Sequence, residues 1–306
     1  MDTKQIEYIL KIAEENNITK AAEKLFITQS ALNQQLLKLE KELGTPLFHR
    51  SRTNWRLTEA GEIYIEGAKA ALQIKNTTYN KIYDVVSARK GHLTIGLTPS
   101  RGLCMFTAIY PELHRNFPNL DVRPIEMRVR AQQEAIAKGE LDVGLMTLAP
   151  VDRTNDTYYS LKKEELVLMI PSAHPLAAKA APPGEPFATI DLSELRYEPF
   201  VLMDRASTLR SLCDTLFEKA DFVPNILFET NNTSSIAPMI QSTLCCGIIP
   251  RYYTLGLTEG VACFSLPDRP SWEIAISCQK NSYLNSGAKE FIRLAREYWE
   301  NSVPLY

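Results

Sequence analysis

No stretch of this 306-residue chain approaches the roughly 20 consecutive apolar residues that a bilayer-spanning helix needs, although 45% of its residues are hydrophobic. A membrane-spanning helix is therefore not expected, and neither is a membrane partner. The opening MDTKQIEYILKIAEENN has no apolar core followed by a small-residue cleavage site. No secretory leader is expected, and the cytoplasm is the expected compartment. An excess of one charge is missing too: 34 Lys and Arg stand against 36 Asp and Glu, a formal net charge of -2. That excludes a wholly basic nucleic-acid binder but permits charge segregated along the chain. The six cysteines (Cys104, Cys213, Cys245, Cys246, Cys263, Cys278) form no C-x-x-C pair, and the four histidines lie far apart. A zinc centre or a secreted disulfide framework does not fit. Reduced, mostly buried thiols and no cofactor or metal are the expectation. G-x-S-x-G, G-x-G-x-x-G, the P-loop and H-E-x-x-H are all absent, so no enzyme class is indicated.

What is present begins in the first sixty residues. Ile6, Ile9, Leu10 and Ala13 recur at helical spacing and predict a first helix over about 2–15, ended by Asn16 and Asn17. A second helix, capped by Thr19, turns Ala21, Ala22 and Leu25 inward, and the small alanines allow another helix to cross closely. A tight turn at Phe26-Ile27 leads to Thr28, placed to cap a third helix. Leu32, Leu36, Leu39 and Leu43 form its core stripe, and Gly44 supplies the left-handed residue that ends it. Its other side carries Gln29, Ser30, Asn33, Gln34 and, a turn on, Lys38. A merely solvated face has no need of amides, whereas Asn and Gln pair bidentately with an adenine edge and Ser bonds most bases. The following TPLFHRSRTNWRLT holds Arg50, Arg52 and Arg56 with no acid, which suits phosphates along a duplex. These features read as a winged helix-turn-helix that binds double-stranded DNA. A small helical bundle used for protein contacts accounts for the helices but not for the amide face and basic wing.

Ala21-Ala22, Leu25, Gln29-Ser30-Ala31, Leu39-Glu40, Leu43-Gly44, Pro46-Leu47-Phe48, Arg50, Leu57-Thr58 and Ala60-Gly61 together resemble the N-terminal domain of the LysR-type transcriptional regulators. Asn33 stands where the family usually has Ser, His49 where it has an acid, and Leu37 where a basic residue is common. All three departures fall at or near the DNA face.

Residues 59–89 lack proline and continue as one helical pattern, with Ile65, Leu72, Tyr79 and Val86 seven apart and a polar interruption at Lys75. That spacing predicts a dimerisation seam. The other reading is a helix packed on its own wing. From His92 on, strands alternate with helices: LTIGLT, VRPIEM, LDVGLMT, ELVLMIP, FVLMD, NILFET, CGIIP and WEIAISCQ read as strands. The alternation predicts parallel sheets with crossover helices, in two α/β lobes joined near Leu161-Glu165 and Ser265-Pro267. Ligands in such folds sit beyond the carboxyl ends of the strands. The expected division is 1–58 for the DNA-binding domain, 59–90 for the linker helix and 91–306 for a regulatory domain. Its lobe I would span about 91–163 and 266–306, and its lobe II about 164–265.

This half resembles the family's effector-binding domain through Leu93-Ile95-Gly96, Tyr110-Pro111 to Phe117-Pro118, Gly139 with Leu141-Asp142-Val143-Gly144, His174-Pro175-Leu176 and Gly247-Ile248-Ile249-Pro250. The resemblance implies a fold like that of periplasmic binding proteins. It further implies a small-molecule effector, a homodimer or homotetramer, an inverted-repeat operator and RNA polymerase as a partner. Thr98-Pro99-Ser100 at a strand end before a helix reads as an anion site, with Arg101 beside it and Arg128 and Arg130 after the second strand. Ordinary surface charge for the arginines, and a plain cap for Ser100, are the competing readings. Val129 and Met203 would supply apolar walls, and the loop through Asp204 is a further contact. A small organic anion is the expected effector. A regulator of the same fold gated by thiol oxidation is the alternative.

Overall fold

The computed structural model describes residues 2–50, 55–86, 89–182, 184–257 and 259–301. The chain forms two compact units, one from the chain up to Val86 and the other from nearly all of the chain after it.

In the first unit α1 spans Thr3–Glu15, α2 Ile18–Lys24 and α3 Gln29–Leu43. A two-residue ladder follows, β1 (Phe48–His49) against β2 (Arg56–Leu57), and then the long α4, Glu59–Val85. Each start has its cap. Asp2 accepts from the Lys4 N–H, Thr28 from Ala31 and Thr58 from Gly61. The cap of α2 is Asn17, not Thr19: its Oδ1 accepts from the N–H groups of Thr19 and Lys20. An Asn two residues earlier reaches these donors while Thr19 is already helical. Gly44 ends α3 at φ 71°, in the left-handed region.

Ile9, Ile12, Leu32, Leu36, Ala21 and Ala68 are fully buried and form the centre of this unit. The α3 stripe stops short of its expected end. Leu43 is exposed, and Leu47 and Phe48 fill the core instead, because the chain turns back at Gly44. Gly61 is where α4 crosses the wing. A Cβ there would lie 2.1 Å from the Leu47 carbonyl oxygen, so only glycine allows this approach.

The second unit contains β3 (Lys90–Leu97), α5 (Arg101–Asn116), β4 (Asn119–Glu126), α6 (Val129–Ala137), β5 (Val143–Leu148) and β6 (Thr157–Pro171). It continues with β7 (Pro199–Met203), α7 (Thr208–Lys219), β8 (Asn225–Thr230), α8 (Ile236–Gln241) and β9 (Gly247–Pro250). It closes with β10 (Val261–Ser265), β11 (Ser271–Cys278) and α9 (Ser286–Asn301).

The sheets are mixed, not parallel throughout. β3 pairs in parallel with β4 and β5, and β7 with β8. β11 runs antiparallel to β5 and β6, while β9 and β10 run antiparallel to β6. The strand order is β10-β6-β11-β5-β3-β4, with β9 also on β6. Each antiparallel pair of this unit includes β6 or β11, the strands through which the chain enters and leaves the second lobe.

β6 has 15 residues and serves both lobes: its first part pairs with β11 and its last part with β9 and β10. Each lobe has its own core. One is built around Phe291, Ile95 and Leu97, the other around Phe200, Phe217 and Phe264.

Candidate functional site

Two surfaces carry the chemistry, one in each unit. On α3 the side chains of Thr28, Gln29, Ser30, Gln34 and Lys38 are exposed and Asn33 is half-buried, opposite the buried Leu32, Leu36 and Leu39. Helical period alone separates the two faces. Gln29 is already engaged: its Oε1 accepts from Thr19 Oγ1 at 3.1 Å. Its NH₂ and the second lone pair of Oε1 remain available to a further partner.

Arg50 differs from its expected role. Its guanidinium pairs with Glu40 and lies 5.5 Å from the Trp55 ring centroid. Glu40, itself buried, also accepts the Leu47 N–H at 2.8 Å. The pair ties the wing to α3, a contact between distant residues that spacing did not show. Arg56 is exposed on β2. Arg52 lies outside the described residues.

In the second unit a cavity of about 100 Å³ opens between the lobes. Thr98, Pro99, Ser100, Arg128, Val129, Met203 and Asp204 all line it. Three helices begin at its wall: α5 after Ser100, α6 at Val129 and α7 at Thr208. A helix start presents unpaired N–H groups and about half a positive charge.

Ser100 is not a plain cap. It has φ 62° and ψ -81°, makes no side-chain cap bond, and the Arg101 N–H bonds the Pro99 carbonyl at 2.9 Å. That is a γ-turn of the rare, strained kind. Strain held at a cavity wall points to a role there.

Two of the expected arginines are elsewhere. Arg101 is buried, paired with Glu164 and set 4.2 Å from the Tyr252 ring and 4.8 Å from that of Trp299. The helix turns it 100° from its neighbour, into the core rather than the cleft. Arg130 is exposed and does not line the cavity. Arg128 does line it but is not a free cation. Its two terminal nitrogens donate to the two oxygens of Asp204, both at 2.8 Å, across the lobes.

Thr208 Oγ1 makes a second crossing, donating to the Thr147 carbonyl at 2.8 Å. Sequence reading missed Thr147, Thr208, Asn231, Thr233 and Trp272 in the lining. Thr208 was findable, since Ser207-Thr208 opens a helix just as Pro99-Ser100 does. Thr147 and Trp272 come from strands whose pairing only the fold reveals. Trp272 Nε1 donates to Glu164 at 2.8 Å, so the cleft wall touches the buried pair that holds Arg101.

Four of the six thiols, Cys213, Cys245, Cys246 and Cys278, are buried. Burial pushes Cys213 and Cys246 up to about 12 and Cys263 to about 11, which keeps them as unreactive thiols. Cys104 is exposed.

Among the described residues no helix is long and apolar enough to cross a membrane. A family model described as a bacterial regulatory helix-turn-helix protein of the lysR family matches residues 3–62. One for the LysR substrate binding domain matches residues 87–300. Together they define a DNA-binding transcriptional regulator with a ligand-binding domain. The chain belongs to the LysR family.

It is 29% identical over 303 residues to the HTH-type transcriptional regulator YwbI of Bacillus subtilis, covering 98% of each. It is 27% identical to the Hca operon transcriptional activator HcaR of Escherichia coli, covering 97% of this chain and 98% of that one. Full-length OxyR from Pseudomonas aeruginosa superposes with a TM-score of 0.70 at 22% identity, over 99% of this chain and 96% of that one. CbnR does so with 0.62 at 19%, over 97% and 99%. At those identities the likeness is one of fold, which for this chain is a winged helix-turn-helix followed by a two-lobed α/β domain.

Proposed function

We propose that the interlobe cavity receives a small organic anion, and that its occupancy alters operator binding by favouring one arrangement of the lobes. The convergence of three helix starts on one cavity supports this most directly. Val129, Met203 and Leu209 give the ligand an apolar wall, so a carboxylate with a short hydrocarbon body fits better than a bare inorganic ion. Arg128 meets the carboxylate once it is released from Asp204. The domains divide at about residues 58 and 90, and the lobes pass into each other near 163 and 266.

DNA is read by Gln29, Ser30, Asn33 and Gln34 and held by Thr28, Lys38, Arg52 and Arg56, with Arg50 acting through the wing. A homodimer or homotetramer joined through α4 presents two such heads to an inverted repeat in the cytoplasm and contacts RNA polymerase there. The chain catalyses no reaction in this scheme.

The test is a melting screen of the full chain against small carboxylates, each paired with its primary amide. A ligand that binds only the folded state raises the melting temperature. Carboxylates that shift wild type but not Arg128→Ala support the reading. Equal shifts from amides, or from carboxylates in both proteins, refute it. Thiol gating is disfavoured by the burial of Cys213, Cys245, Cys246 and Cys278.

A further inference from the structure

A second cavity, of about 420 Å³, shares no lining residue with the cleft. Its walls come from both places where the chain passes between lobes: Lys163 on β6, and the run 266–271 that joins β10 to β11. The end of α7 and the turn at Asp191-Leu192 supply the rest. The lining is amphiphilic. Leu192 and Leu266 are buried in the floor and Leu216 is partly buried. Around them stand three exposed cations, Lys163, Lys219 and Arg269.

These cations have no side-chain partner among the described residues. Other exposed arginines of this unit, Arg115, Arg130 and Arg205, also show no ion pair among the described residues, so what sets these three cations apart is that they line one cavity. Two acids also line the cavity. Asp191 spends one carboxylate oxygen on the N–H and hydroxyl of Ser193, at 2.8 and 2.6 Å. Asp268 is the other, so the rim keeps one positive charge in excess.

Backbone geometry marks the same spot. Asp268 and Arg269 are consecutive non-glycine residues at φ 61° and 45°. Asp tolerates this left-handed conformation better than Arg does, and both residues line the cavity. An apolar floor under unpaired cations is the complement of an anion carrying a hydrocarbon body, and the guanidinium offers a carboxylate bidentate geometry.

We propose that this pocket is a second ligand site, separate from the cleft, for an amphiphilic carboxylate such as a medium-chain or aryl acid. Because its walls belong to both lobe crossings, an occupant contacts the segments that must twist when the lobes move. It therefore changes the balance between lobe arrangements without entering the cleft. The site stands or falls independently of the cleft reading.

Calorimetry of the full chain with octanoate tests it, with octylammonium as the control of equal length and opposite charge. Octanoate should bind wild type, and octylammonium should bind at least about tenfold more weakly, the scale on which charge-assisted contacts act. The combined Lys163→Gln, Lys219→Gln and Arg269→Gln variant should lose about tenfold in octanoate affinity. All three substituted side chains are exposed, and an unchanged melting temperature without ligand verifies the fold. If the combined variant does not fold, Arg269→Gln alone should still lose about threefold. No octanoate binding, equal binding to the charge variants, or equal binding of octylammonium would each overturn the proposal.

Discussion

Asp204 occupies the position that a ligand carboxylate would take on Arg128, and it also accepts the Ala206 N–H at 2.9 Å. An incoming anion must therefore compete with a resident one. Asp204→Asn keeps the shape and removes the competing charge, so anion affinity should rise by about tenfold, or ~1.4 kcal/mol, in calorimetry with a carboxylate selected by the melting screen. In the wing, Glu40 is the residue to watch. Glu40→Ala leaves the Leu47 N–H and the Arg50 guanidinium without their acceptor and should cost about 1–3 kcal/mol in chemical denaturation. Arg50→Gln should act mainly on stability, whereas Arg56→Gln and Lys38→Gln should each flatten the salt dependence of DNA binding by about one unit. Among the thiols the pH argument has a definite sign. Burial raises Cys213 and Cys246 from 9.0 to about 12. The folded state thus favours the protonated thiol, a preference complete below about pH 9 and lost as the pH climbs towards 12. Alkylation at pH 8–9 should mark exposed Cys104 first and leave these two untouched until the chain unfolds. Fast labelling of Cys213 in folded protein would revive a thiol-gated mechanism.

The helices of the first unit were legible in the sequence because their apolar period and caps are local. The linker shows where local reading stops. Its heptad runs through Ile65 and Leu72, yet Ile65 is 8% exposed and packs with Leu72 against the unit's own core. The later half of that stripe, Tyr79, Ile82 and Val86, stays exposed, and a second uncovered apolar stripe runs along Ile63, Ile74 and Val85, with Ile74 69% exposed. A period of seven marks an apolar stripe but does not say which of two stripes the unit itself will cover. Ile74→Lys should therefore weaken subunit association while leaving the folded unit intact. Leu72→Lys should destabilise the unit by about 2 kcal/mol or more. Sedimentation combined with thermal melting separates the two effects, and an Ile74→Lys protein that associates like wild type would place the seam elsewhere. The strands were found by their apolar runs, but the first half of β6, TYYSLKKE, and β10 were not. In β6 the alternation is masked by Lys162, Lys163 and Glu164, while β10, VACFS, is too short to show one, and only pairing to β11 and β6 makes them strands.

Across the whole regulatory unit, the same limit governs the site. Residues at strand ends and helix starts were readable, because loop position alone brings Thr98, Ser100, Val129 and Asp204 to one cavity. The direction of a long side chain was not, as Arg101 and Arg130 illustrate. Partnerships between residues far apart in sequence, Arg128 with Asp204 or Arg101 with Glu164, have no local signature at all. One feature of the scaffold bears on how a signal travels. β6 passes from one lobe to the other without a break, held by β11 at Glu165 and by β9 at Leu166. The Leu166 N–H donates to the Pro270 carbonyl at 2.7 Å, on the companion crossing. A strand laddered along its length behaves as a torsion bar. It can wind by a few degrees per residue but cannot fold like a door joint without breaking its hydrogen bonds. Amide exchange at Glu164 to Val167 should accordingly be as slow as in the lobe cores, with or without ligand. The output to DNA would then be a small rotation stored elastically and released when the ligand leaves.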